Sequence, residues 1–184
     1  MLATGRALLD PSAVLKTAGL SLDMSYADFG SGGLGHFVFP AAELVGKAGR
    51  VYAVDILKQA LANIDTQARA AHVNNLTTVW GDIELPGGVS IPEHSLHLVS
   101  MVNTTPLIRR TPEILEEIKR LLVPDGRLLV VGWKKDAVAL AAAESKRLSP
   151  EEIQPIVERA GFRVLKAFPA GPSHWGLLFG RVAS

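Results

Sequence analysis

The chain has 184 residues, 20% of which are charged, with a formal net charge of +1 and no cysteine. A chain of this length forms one domain that buries roughly 70% of the surface of its unfolded form. The absence of cysteine excludes disulfides and thiolate metal sites, and the small net charge gives no strong field that would attract nucleic acid or a membrane.

The longest apolar runs, such as residues 128–131, are far shorter than the ~20 residues of a membrane span. The N-terminus lacks the apolar core of a secretory signal. We therefore expect a cytoplasmic protein.

Helices and strands alternate along the sequence. The first helix is expected over about residues 10–18, with Asp10 as N-cap, Pro11 at the first helical position and Gly19 after the end. Caps, glycines and apolar spacing predict the remaining elements, which are strands over about 25–29, 51–54, 76–80, 95–103, 127–132, 163–168 and 175–182, and helices over about 36–45, 57–72, 111–122 and 149–161. This alternation predicts a mostly parallel sheet between two layers of helices.

The first predicted strand and the turn after it carry the strongest functional signal. The strand ends in Asp28-Phe29, and the glycine-rich stretch 30–35 follows before the next helix. A second apolar run ends at Asp55. Strand, glycine turn, helix, strand and acid in this order are typical of a nucleotide-type cofactor site, in which glycines allow close approach of the ligand and the second acid binds a ribose.

The acid before the glycines favours one cofactor over another. The pattern Gly30-x-Gly32-x-x-Gly35 also fits the dinucleotide fingerprint, which places a pyrophosphate at a helix N-terminus. Asp28 would repel a pyrophosphate there but would attract an ammonium. S-adenosylmethionine (SAM) carries an ammonium and a sulfonium and no phosphate, so the pattern favours SAM over NAD(P).

Five segments resemble, in order, the motifs of class I SAM-dependent methyltransferases. They are Asp28–Gly35, Val51–Ile56, Trp80–Glu84, Ser95–Asn103 and Arg120–Leu128. The likeness runs from about residue 10 to 182, and within the class it is similar to small members of the ubiquinone/menaquinone-biosynthesis branch. It implies a Rossmann-like three-layer α/β sandwich with a seven-stranded, mostly parallel sheet and one antiparallel strand near the C-terminus. It also implies a single domain over residues 1–184, with an N-terminal helix (about 1–20) over the cofactor site.

The resemblance also assigns cofactor roles to residues at the strand ends. Asp28 would bind the ammonium, Asp55 the ribose, and Asp82 with Ile83 the adenine. Each acid could instead have a purely structural role. Asp28 and Asp82 could each stabilise a turn, because aspartate is common in turns, and Asp55 could cap the following helix. The expected cofactor-binding residues are Asp28, Gly30, Ser31, Gly32, Gly33, Gly35, His36, Asp55, Ile56, Gly81, Asp82, Ile83 and Asn103.

The methyl acceptor leaves a fainter signal. Asn103 ends the fourth predicted strand and is the candidate for a role in catalysis; the alternative is a turn residue. We expect Asn103, Phe37 and Trp133 to share a pocket for a small, partly aromatic or heterocyclic acceptor. His94 and His97 would point to opposite faces of a strand, which excludes a metal site there; His97 also replaces an acid that related sequences tend to have. We recognise no general base, and oligomeric state stays open between monomer and homodimer.

Three other functions are compatible with parts of the pattern. An NAD(P)-dependent oxidoreductase would share the fold, but neither Tyr26 nor Tyr52 is followed by a lysine four residues later. A non-catalytic SAM-binding module would keep the same cofactor motifs. A nucleic-acid methyltransferase would be expected to have a basic face, which the sequence does not indicate.

Overall fold

The computed structural model describes residues 9–137 and 147–182. The helices in these ranges are α1 (Pro11–Thr17), α2 (Val38–Val45), α3 (Lys58–Ala70), α4 (Thr105–Arg110), α5 (Ile114–Leu121) and α6 (Pro150–Arg159). The strands are β1 (Ser25–Phe29), β2 (Arg50–Asp55), β3 (Leu76–Trp80), β4 (Leu96–Val102), β5 (Leu122–Trp133), β6 (Phe162–Pro169) and β7 (His174–Arg181).

The strands form one seven-stranded sheet in the order β3-β2-β1-β4-β5-β7-β6. Neighbours from β3 to β5 are parallel, whereas β7 is antiparallel to both β5 and β6. Only residues 170–173 join β6 to β7, and a link that short allows an antiparallel pair but no crossover. The expected mostly parallel sheet with one antiparallel strand near the C-terminus is confirmed.

The sheet is buried on both faces, and each face has its own apolar core. One core joins the sheet to α1, α2 and α3, and the other joins it to α4, α5 and α6. Successive residues of a strand point to opposite faces, so Leu98 and Val99 of β4 lie in different cores. This arrangement is the expected three-layer sandwich.

The connection between β4 and β5 differs from the expectation. A short helix, α4, occupies residues that we had not assigned to a helix, and α5 begins at Ile114 instead of Thr111. Thr111 is not helical, with a φ of −134° and a ψ of 75°, and its hydroxyl donates a hydrogen bond to Glu84. Strand β5 begins at Leu122 instead of about Arg127, and its pairing with β4 shifts register between Leu96 and Leu98, so that residues 123–126 lie between two paired positions.

The N-terminal helix lies along one face of the sheet. Asp10 caps α1 by accepting a hydrogen bond from Ala13 N, and Arg127 at the amino side of β5 donates to the carbonyl oxygens of Ala18 and Gly19 at the other end. Residues 1–8 of the segment expected over the cofactor site lie outside the described residues. Cover of the cofactor by this segment stays a prediction.

Candidate active site

The parallel strands β1 to β4 end at one edge of the sheet, and the chain changes direction between β1 and β4, where ligands bind in open α/β sheets. The loops after β1 and β3 both contact the end of β2. Gly30 N and Ser31 N donate to Val54 O at 2.9 and 3.1 Å, and Gly81 N donates to Asp55 O at 3.3 Å. Three predicted motifs therefore meet at this edge.

The glycine loop turns tightly and leaves space on one side. Gly30 has a φ of 79°, and a Cβ there would lie 2.9 Å from Cγ2 of Thr104. Gly32 has a φ of 62°, but a Cβ there would meet no atom within 4 Å. Gly33 packs against α3, and Gly35 packs against the ring of Phe39. The loop thus contacts the segment after β4 and both flanking helices, and its free side is at Gly32.

Asp55 joins the glycine loop to the start of α3. Its Oδ2 accepts from Gly32 N and its Oδ1 from Leu57 N, both at 2.9 Å, and the residue is 9% exposed. Leu57 is the N-cap residue of α3, so Asp55 is not the helix cap that the alternative interpretation required. Each carboxylate oxygen keeps a second lone pair, which is free to accept a ligand hydroxyl.

Asp28 is a buried carboxylate, 3% exposed, with one oxygen engaged. Ser100 Oγ of β4 donates to Asp28 Oδ1 at 2.5 Å, and the hydroxyl of Tyr26 lies 2.6 Å from the same Oγ. Burial raises the pKa of Asp28 to about 7; the Ser100 hydrogen bond lowers it and the charge of Asp55 raises it. No backbone amide among residues 9–137 and 147–182 donates to this carboxylate. Asp28 therefore does not stabilise a turn in the way that the structural alternative required.

The loop after β3 places its two candidates differently. Asp82 Oδ1 accepts from Glu84 N at 2.9 Å, which is the turn geometry, and leaves Oδ2 for other donors. Ile83 is only 8% exposed and packs in the core under α4 to α6. Ile56, at the end of β2, is 55% exposed and its carbonyl oxygen accepts from Trp80 Nε1 at 2.9 Å. Ile56 therefore offers more apolar surface at this edge than Ile83.

Asn103 follows β4 in a left-handed conformation, with a φ of 59°, and its side chain is exposed. Asparagine adopts this conformation more readily than most residues. Its backbone N donates to Val131 O at 2.9 Å, which fixes the end of β4 against β5. His36 is exposed beside the buried Phe37, with ring centroids 5.8 Å apart.

Trp133 and His174 form an aromatic pair at the same edge. Trp133 ends β5, His174 begins β7, and their ring centroids are 3.8 Å apart. Trp133 is half-buried and His174 is buried. The common pocket of Phe37, Asn103 and Trp133 stays a prediction.

The site residues expected from the sequence did not include Tyr26, Ser100 or Thr104. Tyr26 lies two residues before Asp28 on the same face of the strand, which the sequence alone could have indicated. Ser100 becomes recognisable only once its register opposite Asp28 is known. Thr104 contacts the glycine loop, and its Oγ1, like Ser31 Oγ, is buried and has no hydrogen-bond partner among the described residues.

Other polar and concave features lie away from this edge. His97 Nδ1 accepts from Ser25 N at 3.0 Å, near the start of β1, which is a structural role. A groove of about 680 Å³ lies between the C-terminal ends of α2 and α3, at the opposite edge of the sheet. Within the described ranges, no group of three histidine, aspartate or glutamate side chains could hold a metal ion. The helices found there are too short or too polar to cross a bilayer.

The sheet order, the antiparallel β7 and the glycine loop at the change of direction define a methyltransferase fold of the Rossmann-like class. The chain matches the family described as "Methyltransferase domain" over residues 20–161, and it belongs to that family. The expected class of protein is confirmed, whereas the ubiquinone/menaquinone branch stays a prediction.

Solved structures share this fold over nearly the whole chain. The chain is similar to a SAM-dependent methyltransferase from Aquifex aeolicus, with a TM-score of 0.88 and 25% identity over 96% of this chain and 92% of that chain. It is also similar to a candidate type 11 methyltransferase from Sulfolobus solfataricus, with a TM-score of 0.75 and 22% identity over 96% and 95% of the two chains. The cyclase SpnF has the same fold, with a TM-score of 0.77 and 14% identity over 95% and 80%.

Proposed function

We propose that this protein transfers the methyl group of SAM to a small-molecule acceptor. Membership of the methyltransferase family defines the class of reaction, and SAM as methyl donor agrees with the A. aeolicus protein. We propose the class of acceptor and the residues that bind the cofactor. The main observation for the cofactor site is a buried carboxylate, Asp28, beside a glycine loop that is hydrogen-bonded to a second carboxylate, Asp55.

The groups at this edge fit SAM better than a dinucleotide. Asp28 Oδ2 accepts no hydrogen bond from the described residues, so a ligand ammonium has a partner there, whereas a pyrophosphate would be repelled. The buried hydroxyls of Ser31 and Thr104 lack partners, as expected where a ligand completes the site. The free side of Gly32 gives the backbone amides of the loop room for a ligand.

When bound, SAM supplies an electrophilic methyl carbon. In our proposal Asp28 binds the ammonium, Asp55 accepts from the ribose hydroxyls, and Ile56 and Ile83 line the adenine pocket with Asp82 as a hydrogen-bond acceptor. These contacts would hold both ends of the cofactor and fix its orientation at this edge of the sheet. Alignment of donor and acceptor can lower the barrier by about 7–11 kcal/mol, so the site needs no general base unless the acceptor must lose a proton early.

The residues around the expected methyl position favour a small acceptor. The half-buried Trp133, whose ring is tilted against that of His174, offers aromatic surface, and Asn103 adds an exposed amide. A partly aromatic or heterocyclic molecule has the matching chemistry. The formal net charge of +1 does not supply the broad basic surface that a nucleic acid requires. The cytoplasmic location expected from the sequence stays a prediction.

Calorimetry with SAM, its demethylated product S-adenosylhomocysteine (SAH) and NAD tests the cofactor. We expect micromolar-range affinity for SAM and SAH, no binding of NAD, and a large loss of SAH affinity in Asp28→Asn, which keeps the shape but removes the charge. Binding of NAD without SAM would contradict the proposal and favour the oxidoreductase.

Incubation with SAM and a panel of small aromatic and heterocyclic acceptors then tests the reaction. We expect SAH formation with at least one of them. Tight SAM binding without SAH formation from any small acceptor would favour the non-catalytic SAM-binding module instead.

A further inference from the structure

We propose that Ser100 and Tyr26 are positioning residues for cofactor binding, which hold the Asp28 carboxylate so that Oδ2 faces the ammonium of SAM. This inference rests on the proposed function. It assigns a cofactor role to two residues of the sheet that lie behind the ligand site.

The hydrogen-bond chain has one direction. Ser100 has a single hydroxyl proton, and it is donated to Asp28 Oδ1 at 2.5 Å. Ser100 Oγ must therefore accept from the Tyr26 hydroxyl, 2.6 Å away. Burial, followed by the charge of Asp28, raises the pKa of Tyr26 well above its usual value, so the phenol keeps its proton and remains a donor.

This chain decides which oxygen of Asp28 is available to a ligand. Tyr26 and Asp28 lie on the same face of β1, and Ser100 is the register partner of Asp28 on β4. Both hydroxyls are fully buried in the sheet, so they fix the carboxylate without contact with the ligand. Oδ1 is occupied, and Oδ2 is left for the ammonium.

The charge of Asp28 depends on few neighbours. Asp55 on β2 opposes ionisation, and the Ser100 hydrogen bond favours it. Helix α2 packs on this face and has one ionisable residue, Glu43, which is exposed in the groove at the opposite edge, and the loop before α2 has the exposed His36. Because no cation among these groups offsets the burial, the ligand ammonium and the Ser100 hydroxyl are the main groups that stabilise the carboxylate.

Only the ionised form of Asp28 attracts an ammonium. Its pKa in the free protein is about 7, so SAH affinity is greatest above pH 7 and falls as the pH drops below it. Between pH 8 and pH 6 the ionised fraction falls about tenfold, and SAH affinity should follow. Loss of the Ser100 donor raises the pKa and moves this transition to higher pH.

The test compares two ligands by calorimetry from pH 6 to pH 8. SAH has the ammonium, and 5′-methylthioadenosine shares the adenosine part but lacks the amino-acid part. We expect Ser100→Ala to weaken SAH binding about tenfold at pH 7.5 and to move its pH transition upward, with 5′-methylthioadenosine unaffected. Tyr26→Phe removes the hydroxyl that donates to Ser100, and it should have a smaller effect in the same direction. This variant provides the test if Ser100→Ala does not fold.

Thr78→Val is the matched control, since Thr78 Oγ1 donates to Asp65 Oδ1 at 3.0 Å on the outer strand β3. It should leave both affinities and the pH transition unchanged. Equal losses for both ligands, or wild-type SAH affinity and pH dependence in Ser100→Ala and Tyr26→Phe, would overturn the positioning role alone. Absence of SAH binding to the wild-type protein would overturn the proposed function and this inference together.

Discussion

Replacing Asp55 with alanine should separate its proposed role in cofactor binding from its support of the glycine loop. The carboxylate is 9% exposed and accepts from two backbone amides at 2.9 Å. Leaving Gly32 N and Leu57 N without that partner should reduce the free energy of unfolding by about 2 kcal/mol. In a domain of this size, that loss lowers Tm by roughly 4–8 °C.

The same substitution should weaken SAH binding further than the stability loss explains. Charge-assisted hydrogen bonds to the ribose are worth ~1.5–3 kcal/mol, which corresponds to about a tenfold to hundredfold loss of affinity. Calorimetry below the Tm of the variant measures the affinity, and thermal unfolding without ligand measures the stability. Asp65→Ala is the control, since it removes the carboxylate that accepts from Thr78 but none at the ligand edge. A fall in Tm with unchanged SAH affinity would refute the ribose role and leave Asp55 with a structural role only.

Two further substitutions test the proposed acceptor side and the support of the loop after β3. Asn103→Ala should lower turnover on an identified acceptor much more than it lowers SAM affinity, because the loss would be felt at the reacting centre; full turnover in this variant would contradict that role. Glu117→Ala should lower the free energy of unfolding by ~3 kcal/mol, because buried Glu117 accepts from Gly87 N and Val89 N and pairs with Arg120. Burial opposes ionisation of Glu117, but its hydrogen bonds and the charge of Arg120 hold the pKa below its usual value. The stabilisation from Glu117 is therefore fully present above the pKa of this group in the unfolded chain, and it is lost as the pH falls through the lower pKa of the folded protein. Unfolding of the wild type and the variant as a function of pH will measure this loss.

The fold alone does not define the reaction, since this sheet is shared with methyltransferases and with a cyclase. The proposed function depends on a few groups at the carboxyl edge, above all Asp28, Asp55 and the loop between them. Asn103 and Trp133 stay candidates for the acceptor side of the site.

Local patterns predicted all seven strands and five of the six described helices, and they missed only α4. Glycines with positive φ, the caps at Asp10 and Ser149, and apolar periodicity each depend on residues a few positions apart. The order of strands and helices therefore predicted a parallel sheet, and the ends of the strands indicated which side chains would share an edge. The resemblance to methyltransferases rested on those same short segments.

Contacts between distant residues were decided by the tertiary structure. Ser100 and Asp28 are 72 positions apart, and their hydrogen bond exists only because β4 pairs with β1 in one register. The burial of Ile83 and the non-helical conformation at Thr111 likewise depend on packing between the loop after β3 and helices α4 and α5. Strand pairing and side-chain packing are set by the chain as a whole, so local propensity predicts the parts of this site, and the pairing register determines which oxygen of Asp28 is left for a ligand.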